Sequence, residues 1–263
     1  MLIEAQGGED KAKYGNALIK EYSEKLTNEI GRGYTFSALS RMRQFYLLSE
    51  KIATLSQQLT WSHYCELLVF DNVDEINYYI KQTEIYNLSV RELREKIKSK
   101  EYQRLDDNTK LKLINKEETV VSDFIKNPIV IRNKYNIDKK SVTEKILQRL
   151  ILEDIPSFLK ELGEGFTFVE NEYKIKIGNT YNYIDILLFN YIYNCFVVIE
   201  LKVTELKKEH IGQIQIYMNY VDKNIKTINQ DKTIGVIICK KDNGYYIEYS
   251  SDNRIFSKNY ILS

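Results

Sequence analysis

The sequence predicts an α/β (α+β) fold, a mixed sheet flanked by helices behind an all-α N-terminal part, and three observations carry that prediction. Residues 11–105 hold apolar positions at helical spacing, broken by short polar turns. Residues 166–205 hold successive runs rich in β-branched and aromatic residues, each ended by a few polar ones. A helical stretch at 206–225 is then followed by the apolar run Thr233–Cys239, as expected when a chain crosses over and returns to the same sheet.

In the N-terminal part, Tyr14, Leu18, Ile19, Tyr22 and Leu26 recur at helical spacing, with Gly31 and Gly33 ending the element. The next helix is expected to start with Ser37 as cap and to turn Leu39, Met42, Phe45 and Tyr46 inward. Thr60 caps a third helix at WSHYCELLVF, a fourth runs from Asp74 to Tyr86, and Ser89 caps a fifth at VRELREKIKSKEYQRL. Short turns between short helices allow a helix-turn-helix arrangement. Arg32, Arg41 and Arg43, with Lys51, either contact the phosphates of a nucleic acid or form solvated helix faces. Trp61 reads as core, and His63 as a residue that caps a helix or packs between helices.

Leu105–Lys140 is charged and without a clean period, so the expected division is a helical domain at 1–105, a linker at 106–140 and a sheet-bearing domain at 141–263. The last opens with SVTEKILQRLILEDIPSFLKELG, capped by Ser141 or Thr143, with Pro156 kinking the helix or starting a new turn after Asp154. Strand signals follow at FTFVE, YKIKIG, TYNYIDILLF and FVVIELKV as an antiparallel meander, and Tyr245–Tyr249 reads as an edge strand.

Chemistry concentrates in the last two runs of the meander. Glu200 and Lys202 interrupt an otherwise apolar strand and, being two apart, share a face, while Ile199 and Leu201 fill the other. A tight connection at 190–194 pairs this strand with the one before it and brings Asp185, the acid of that strand, close to Glu200. Burying unpaired charge is costly, so two acids and a lysine at strand ends call for a metal, an ion pair or a polar cleft. Two carboxylates suit a hard divalent cation that keeps water in its shell. After the strand, Gln213 and Tyr217 lie one helical turn apart and point the same way.

Composition sets outer bounds. Across 263 residues, 38 basic side chains face 37 acidic ones, so any nucleic-acid surface is local and not a global field. Cys65, Cys195 and Cys239 form no CxxC and leave one thiol over in any pairing, which fits a reducing cytoplasm. No long apolar span is present, so no membrane is expected as a partner. The absence of GxxxxGK[ST] argues against a phosphotransfer enzyme of the P-loop kind.

The order strand-Asp, hairpin, strand-Glu-x-Lys, helix resembles the PD-(D/E)xK nuclease superfamily, and more narrowly the YhcG-like proteins. The resemblance runs through FLKELGEGFTFVENEYKIKIG, YIDILLF, VVIELKVTELKKEHIGQIQIYMNYVD and TIGVIIC, and through GRGYTFSALSRMRQFYLLSEKIATLSQQLTWSHYCELL in the N-terminal half. Ile184 stands where the superfamily name has proline. LIEAQGGEDKAKYG resembles a point inside the family's N-terminal domain, where a further helix normally precedes.

The resemblance implies a restriction-endonuclease-like fold and a metal-dependent deoxyribonuclease. On that footing Asp185 and Glu200, with the Leu201 carbonyl, hold Mg²⁺, for which Mn²⁺ can substitute. Lys202 orients or activates the attacking water, Gln213 positions Lys202 or the phosphate backbone, and Tyr217 lies beside the nucleic acid. Glu153 falls where the superfamily's first helix adds an acid, with Glu161 as the alternative, and His210 either reaches substrate phosphate or stays a surface residue. DNA is the implied partner, and a homodimer the arrangement with which many nucleases of this fold cut both strands. The competing reading is an inactive module that keeps the fold and binds DNA or protein in a restriction, defence or repair system.

Overall fold

The computed structural model describes residues 15–52, 55–242 and 244–263. Tyr14 and the stretch that resembles an interrupted N-terminal domain lie outside them. The chain divides into two compact units, Met1–Tyr102 and Gln103–Ser263.

Helices make up the first unit: α1 (Gly15–Glu29), α2 (Phe36–Ser49), α3 (Trp61–Leu67), α4 (Val73–Tyr86) and α5 (Val90–Lys98). Each start has a local cause. Thr35, extended at φ −62° and ψ 159°, caps α2 by accepting from Ala38 N–H, so the cap lies two residues before the expected Ser37. Asn72 accepts from the N–H groups of Asp74 and Glu75 at α4. Ser89 and Glu92 close a capping box on α5. Leu39, Leu48, Tyr64, Leu67, Ile76, Tyr79 and Leu93 fill the core. Met42 and Tyr46, expected inside, are exposed, because α2 turns Leu39 and Leu48 inward instead. Trp61 is 43% exposed and not core, meeting the Phe45 ring edge-on at 5.4 Å. His63 does cap and pack. Its Nε2 lies 3.0 Å from the Leu88 carbonyl, which can only accept, so the proton is on Nε2 and Nδ1 accepts from Thr60 N–H.

The second unit is a six-stranded sheet in the order β1-β6-β5-β4-β3-β2, with β1 (Ile129–Ile131), β2 (Phe166–Ile177), β3 (Thr180–Asn190), β4 (Cys195–Glu205), β5 (Asp231–Lys241) and β6 (Ile255–Leu262). Its helices are α6 (Asp107–Asn115), α7 (Glu144–Leu152), α8 (Ile155–Leu162), α9 (Lys208–Asn224) and α10 (Gly244–Glu248). The pairs β2–β3 and β3–β4 are antiparallel, and β4–β5, β5–β6 and β1–β6 are parallel. The sheet is therefore mixed, as expected. One apolar layer joins Leu147, Leu150, Ile151, Phe158 and Leu162 of α7 and α8 to Ile199, Leu201, Val236 and Ile238. The other joins Ile214, Tyr217, Met218 and Val221 of α9 to Leu187, Val198 and Ile237. Full burial of each aliphatic side chain contributes roughly 1.5–3 kcal/mol.

Several expectations change. Part of the segment taken as a linker belongs to the sheet: Ile129 and Ile131 are buried on β1, and Glu161 accepts from Val130 N–H while pairing with Arg104. Charged flanks hid this strand in the sequence. FTFVE and YKIKIG are one strand, because an irregularity at Phe168/Glu170 lets β2 continue past its polar middle. Residues Tyr245–Tyr249 form a helical turn, since β6 is parallel to β5 and the chain must cross over before it can pair. Thr143 caps α7, and Asp154 caps α8 with Pro156 in its first turn.

Candidate active site

Strand β4 is buried on both faces because FVVIEL presents β-branched and aliphatic residues to both helical layers. Alternation then sets Glu200 and Lys202 on the side of Val198, facing α9. Glu200 is 1% and Lys202 8% exposed. The Lys202 ammonium donates to Glu200 Oε2 at 3.2 Å and lies 3.8 Å from Glu144 Oε2.

Asp185 reaches this cluster from β3. The β3–β4 ladder has Ile186 opposite Ile199 as its final pair, and just past it Leu201 N–H donates to Asp185 Oδ2 at 2.8 Å. Packing changes side here too: Ile184 and Leu187 belong to one apolar layer, Ile186 and Leu188 to the other. The Asp185 carbonyl accepts from the buried side-chain amide of Gln148, at 3.0 Å. Gln148 lies one turn after Glu144 on α7, so one helix face both holds the aspartate's backbone and brings an acid toward Lys202.

Charges here are strongly coupled. Burial, and then the Asp185 carboxylate, push Glu200 up to about 8 against the pull of Lys202. Burial also raises Asp185, opposed by Leu201 N–H and Lys202. Burial alone would lower Lys202, but Glu200, Glu144 and Asp185 outweigh it and hold the ammonium charged. Glu200 Oε1 has no hydrogen-bond partner. Two buried carboxylates that repel each other, one with an orphaned oxygen, are the donor set a hard dication satisfies. Among the described residues, no three His, Cys, Asp or Glu side chains form a closed ligand set. The remaining positions on such an ion would fall to water, substrate and backbone carbonyls.

Of the residues expected here, Asp185, Glu200 and Lys202 come together, and Gln213 and Tyr217 stand beside them. Gln213 donates to Tyr217 Oη at 3.1 Å. The Tyr217 hydroxyl is raised first by burial and further by Glu200 and Asp185. Tyr217 is buried, so it braces Gln213 and is not a surface for nucleic acid. His210 accepts from Lys207 N–H, and burial and then Lys202 lower its pKa. Glu153 is not brought in. It ends α7 paired with Arg149 at 2.8 Å, about 13 Å along the axis from Glu144 and half a turn round it. Glu144, which sequence reasoning missed, is the acid of α7 that stands near Lys202, at 3.8 Å; its position in the first turn was the available signal. Glu161 anchors β1 instead. In the first unit Arg32 and Arg41 are exposed, while Arg43 is half-buried.

The family description "YhcG PDDEXK nuclease domain" matches residues 122–262, and "DUF1016 N-terminal domain" matches residues 1–104. The chain is 27% identical over a 272-residue alignment to the protein named "Putative nuclease YhcG" of Escherichia coli strain K12, covering 89% of this chain and 72% of that one. Among solved structures it is similar to a repair endonuclease from Pyrococcus abyssi, with 16% identity and a TM-score of 0.33 over 45% of this chain and 47% of that one. It is also similar to the EndoMS component of an EndoMS-dsDNA2 complex, with 18% identity and a TM-score of 0.34 over 48% of each chain. The chain thus spans about half the length of each of these two structures. With its fold, its Asp-then-Glu-x-Lys strands and its matched length taken together, the chain belongs to the YhcG family of PDDEXK nucleases.

Proposed function

We propose that this chain is a Mg²⁺-dependent deoxyribonuclease that hydrolyses phosphodiester bonds at the Asp185–Glu200–Lys202 cluster. The observation that carries the reading is the orphaned Oε1 of a fully buried Glu200 next to a second desolvated carboxylate. An ion pair with Lys202 alone leaves that oxygen unsatisfied and gives no reason for Asp185 to be tied to the backbone of β4.

Asp185 and Glu200 are the residues that would hold the cation, with the Leu201 carbonyl between them in sequence. A bound dication supplies Lewis-acid activation of water and neutralises charge on the scissile phosphate. Asp185 is fixed for this by Leu201 N–H on one side and Gln148 on the other. Lys202, kept cationic by three carboxylates, offers an ammonium to the phosphate oxygens where negative charge develops. Because burial and Asp185 raise Glu200 to about 8, a cation held there would favour its deprotonated form. Gln213, braced by Tyr217, presents an amide toward the same site. The helical unit, with exposed Arg32 and Arg41, would position DNA through phosphate contacts.

The test is cleavage of supercoiled, linear, single-stranded and branched DNA with Mg²⁺, Mn²⁺ or EDTA, for the wild type and Glu200→Ala. Metal-dependent cutting that vanishes in the variant supports the reading. Wild-type protein that binds DNA and leaves every substrate intact with every metal would turn it to the binding-module alternative.

A further inference from the structure

Beyond the last β3–β4 pair, β2 and β3 continue as a two-stranded hairpin in which Lys174 faces Tyr183 and Lys176 faces Tyr181 across the ladder. Alternation sets Tyr181 and Tyr183 on the face opposite Ile184, four and two residues before Asp185 on the same strand. Burial agrees: Ile175 and Ile184 are sealed in the layer under α9, whereas Tyr181 is 53% and Tyr183 51% exposed. Lys174 and Lys176 are exposed as well. Lys174 Nζ stands 4.0 Å from the Tyr181 ring centroid and Lys176 Nζ 5.8 Å, so both ammonium groups gather at the Tyr181 ring, with Tyr183 paired across the ladder from Lys174. Glu172, the acid of this stretch, stands at the end nearest Asp185, whose carboxylate feels its charge.

We propose that this face of the hairpin is a platform for an unpaired nucleic-acid strand running into the active site. The proposal rests on the nuclease reading and names the form of its substrate. Apolar packing on the back holds the hairpin rigid, so the exposed tyrosines carry no load in the core. Two lysines give charge complementarity to consecutive phosphates, and two tyrosines offer rings on which bases stack once they are free of a duplex. The surface extends about 13 Å from Asp185 to Tyr181 along one strand. A flap or single-stranded tail laid on it would follow β3 toward Asp185, where that strand enters the cluster.

The experiment is fluorescence anisotropy of the full chain in EDTA with labelled oligothymidine and with a blunt duplex of equal length, across a salt series. Tyr183→Ala and Tyr181→Ala should each weaken single-strand binding about 5- to 150-fold, the range for one lost base stack, and duplex binding less than twofold. Tyr183→Phe, which keeps the ring, should bind like the wild type. Lys174→Gln and Lys176→Gln should each lower the slope of log affinity against log salt by about 0.7. Unchanged single-strand affinity in the alanine variants overturns the platform, and so does an equal loss for duplex. Cleavage with Mg²⁺, followed separately, keeps the two readings apart. Cutting by the wild type with no binding defect in the variants overturns the platform alone. Binding that depends on the tyrosines without any cutting overturns the nuclease reading alone, and a wild type that neither binds nor cuts overturns both.

Discussion

The Asp185 carboxylate accepts the backbone N–H of Leu201 at 2.8 Å, just past the last β3–β4 pair. An amide that would otherwise face outward from the ladder thus fixes an acid from one strand to the backbone of the next. Because Leu201 lies between Glu200 and Lys202, the three charged groups share a backbone reference and keep their separations without relying on side-chain packing.

Stability of the metal-free protein should fall with pH. Burial and Asp185 hold Glu200 at about 8, above the ordinary glutamate value of 4.5. Between those values the folded chain keeps a proton that the unfolded chain has lost, so stability declines through that window and levels off above it. Asp185, also raised, acts with the same sign. In EDTA the thermal midpoint of the wild type should drop from pH 5 to pH 8, and Glu200→Gln should flatten the profile. Identical slopes for the two proteins would sink this account of the site.

Lys202→Ala should lower the single-turnover cleavage rate about 100- to 1,000-fold at saturating Mg²⁺, the range for losing one preorganised charge-stabilising group. Circular dichroism on the same samples separates this loss from unfolding. A folded variant that cuts within threefold of the wild type would remove Lys202 from the chemistry.

Glu144 and Glu153 sit on one helix and should behave differently. Glu144→Gln takes away a carboxylate 3.8 Å from Lys202 and should slow cleavage at least tenfold, with an altered Mg²⁺ titration. Glu153→Gln removes an (i, i+4) pair with exposed Arg149, so cleavage should stay within twofold and the urea midpoint should hardly move. The reverse ranking in rate assays would restore Glu153 to the site.

Gly235 on β5 lets α9 approach. A methyl group there would come 2.6 Å from Met218 Sδ and 2.8 Å from Ile214 Cδ1, both on fully buried side chains of α9. Gly235→Ala should cost about 1–3 kcal/mol in urea unfolding. Because α9 also carries Gln213, cleavage should weaken, and Met218→Ala in the same chain should recover part of the stability. No change in the urea midpoint would show that the helix yields freely.

The strands and the acid–base pair were legible because a run such as FVVIELKV leaves a charge nowhere to go but a site. The helix caps at Thr60, Ser89 and Thr143 were equally readable, since capping is local chemistry. What escaped depended on distant partners. β6 mixes Ser257, Lys258 and Asn259 into its strand, and Lys258 is buried, with its pKa lowered by desolvation. No local period announces that. Tyr245, Tyr246 and Tyr249 have strand propensity, yet parallel pairing downstream makes their segment a connection. Glu144 was overlooked in favour of Glu153 because a helix's sequence does not say which of its turns meets the sheet.

Strand β1 pairs with β6, Ile129 against Tyr260, a contact that spans nearly the whole unit in sequence. On the ribosome the first of these strands emerges long before its partner exists. Glu144, Gln148, Asp185, Glu200, Lys202, Gln213 and Tyr217, in contrast, all come from the intervening chain. The order of synthesis therefore allows this cluster to assemble while one border of the sheet is still open. Closing that border is the contact of longest sequence separation in the sheet, and until β6 is made Ile129–Ile131 has only the side chain of Glu161 on Val130 N–H and no strand beside it.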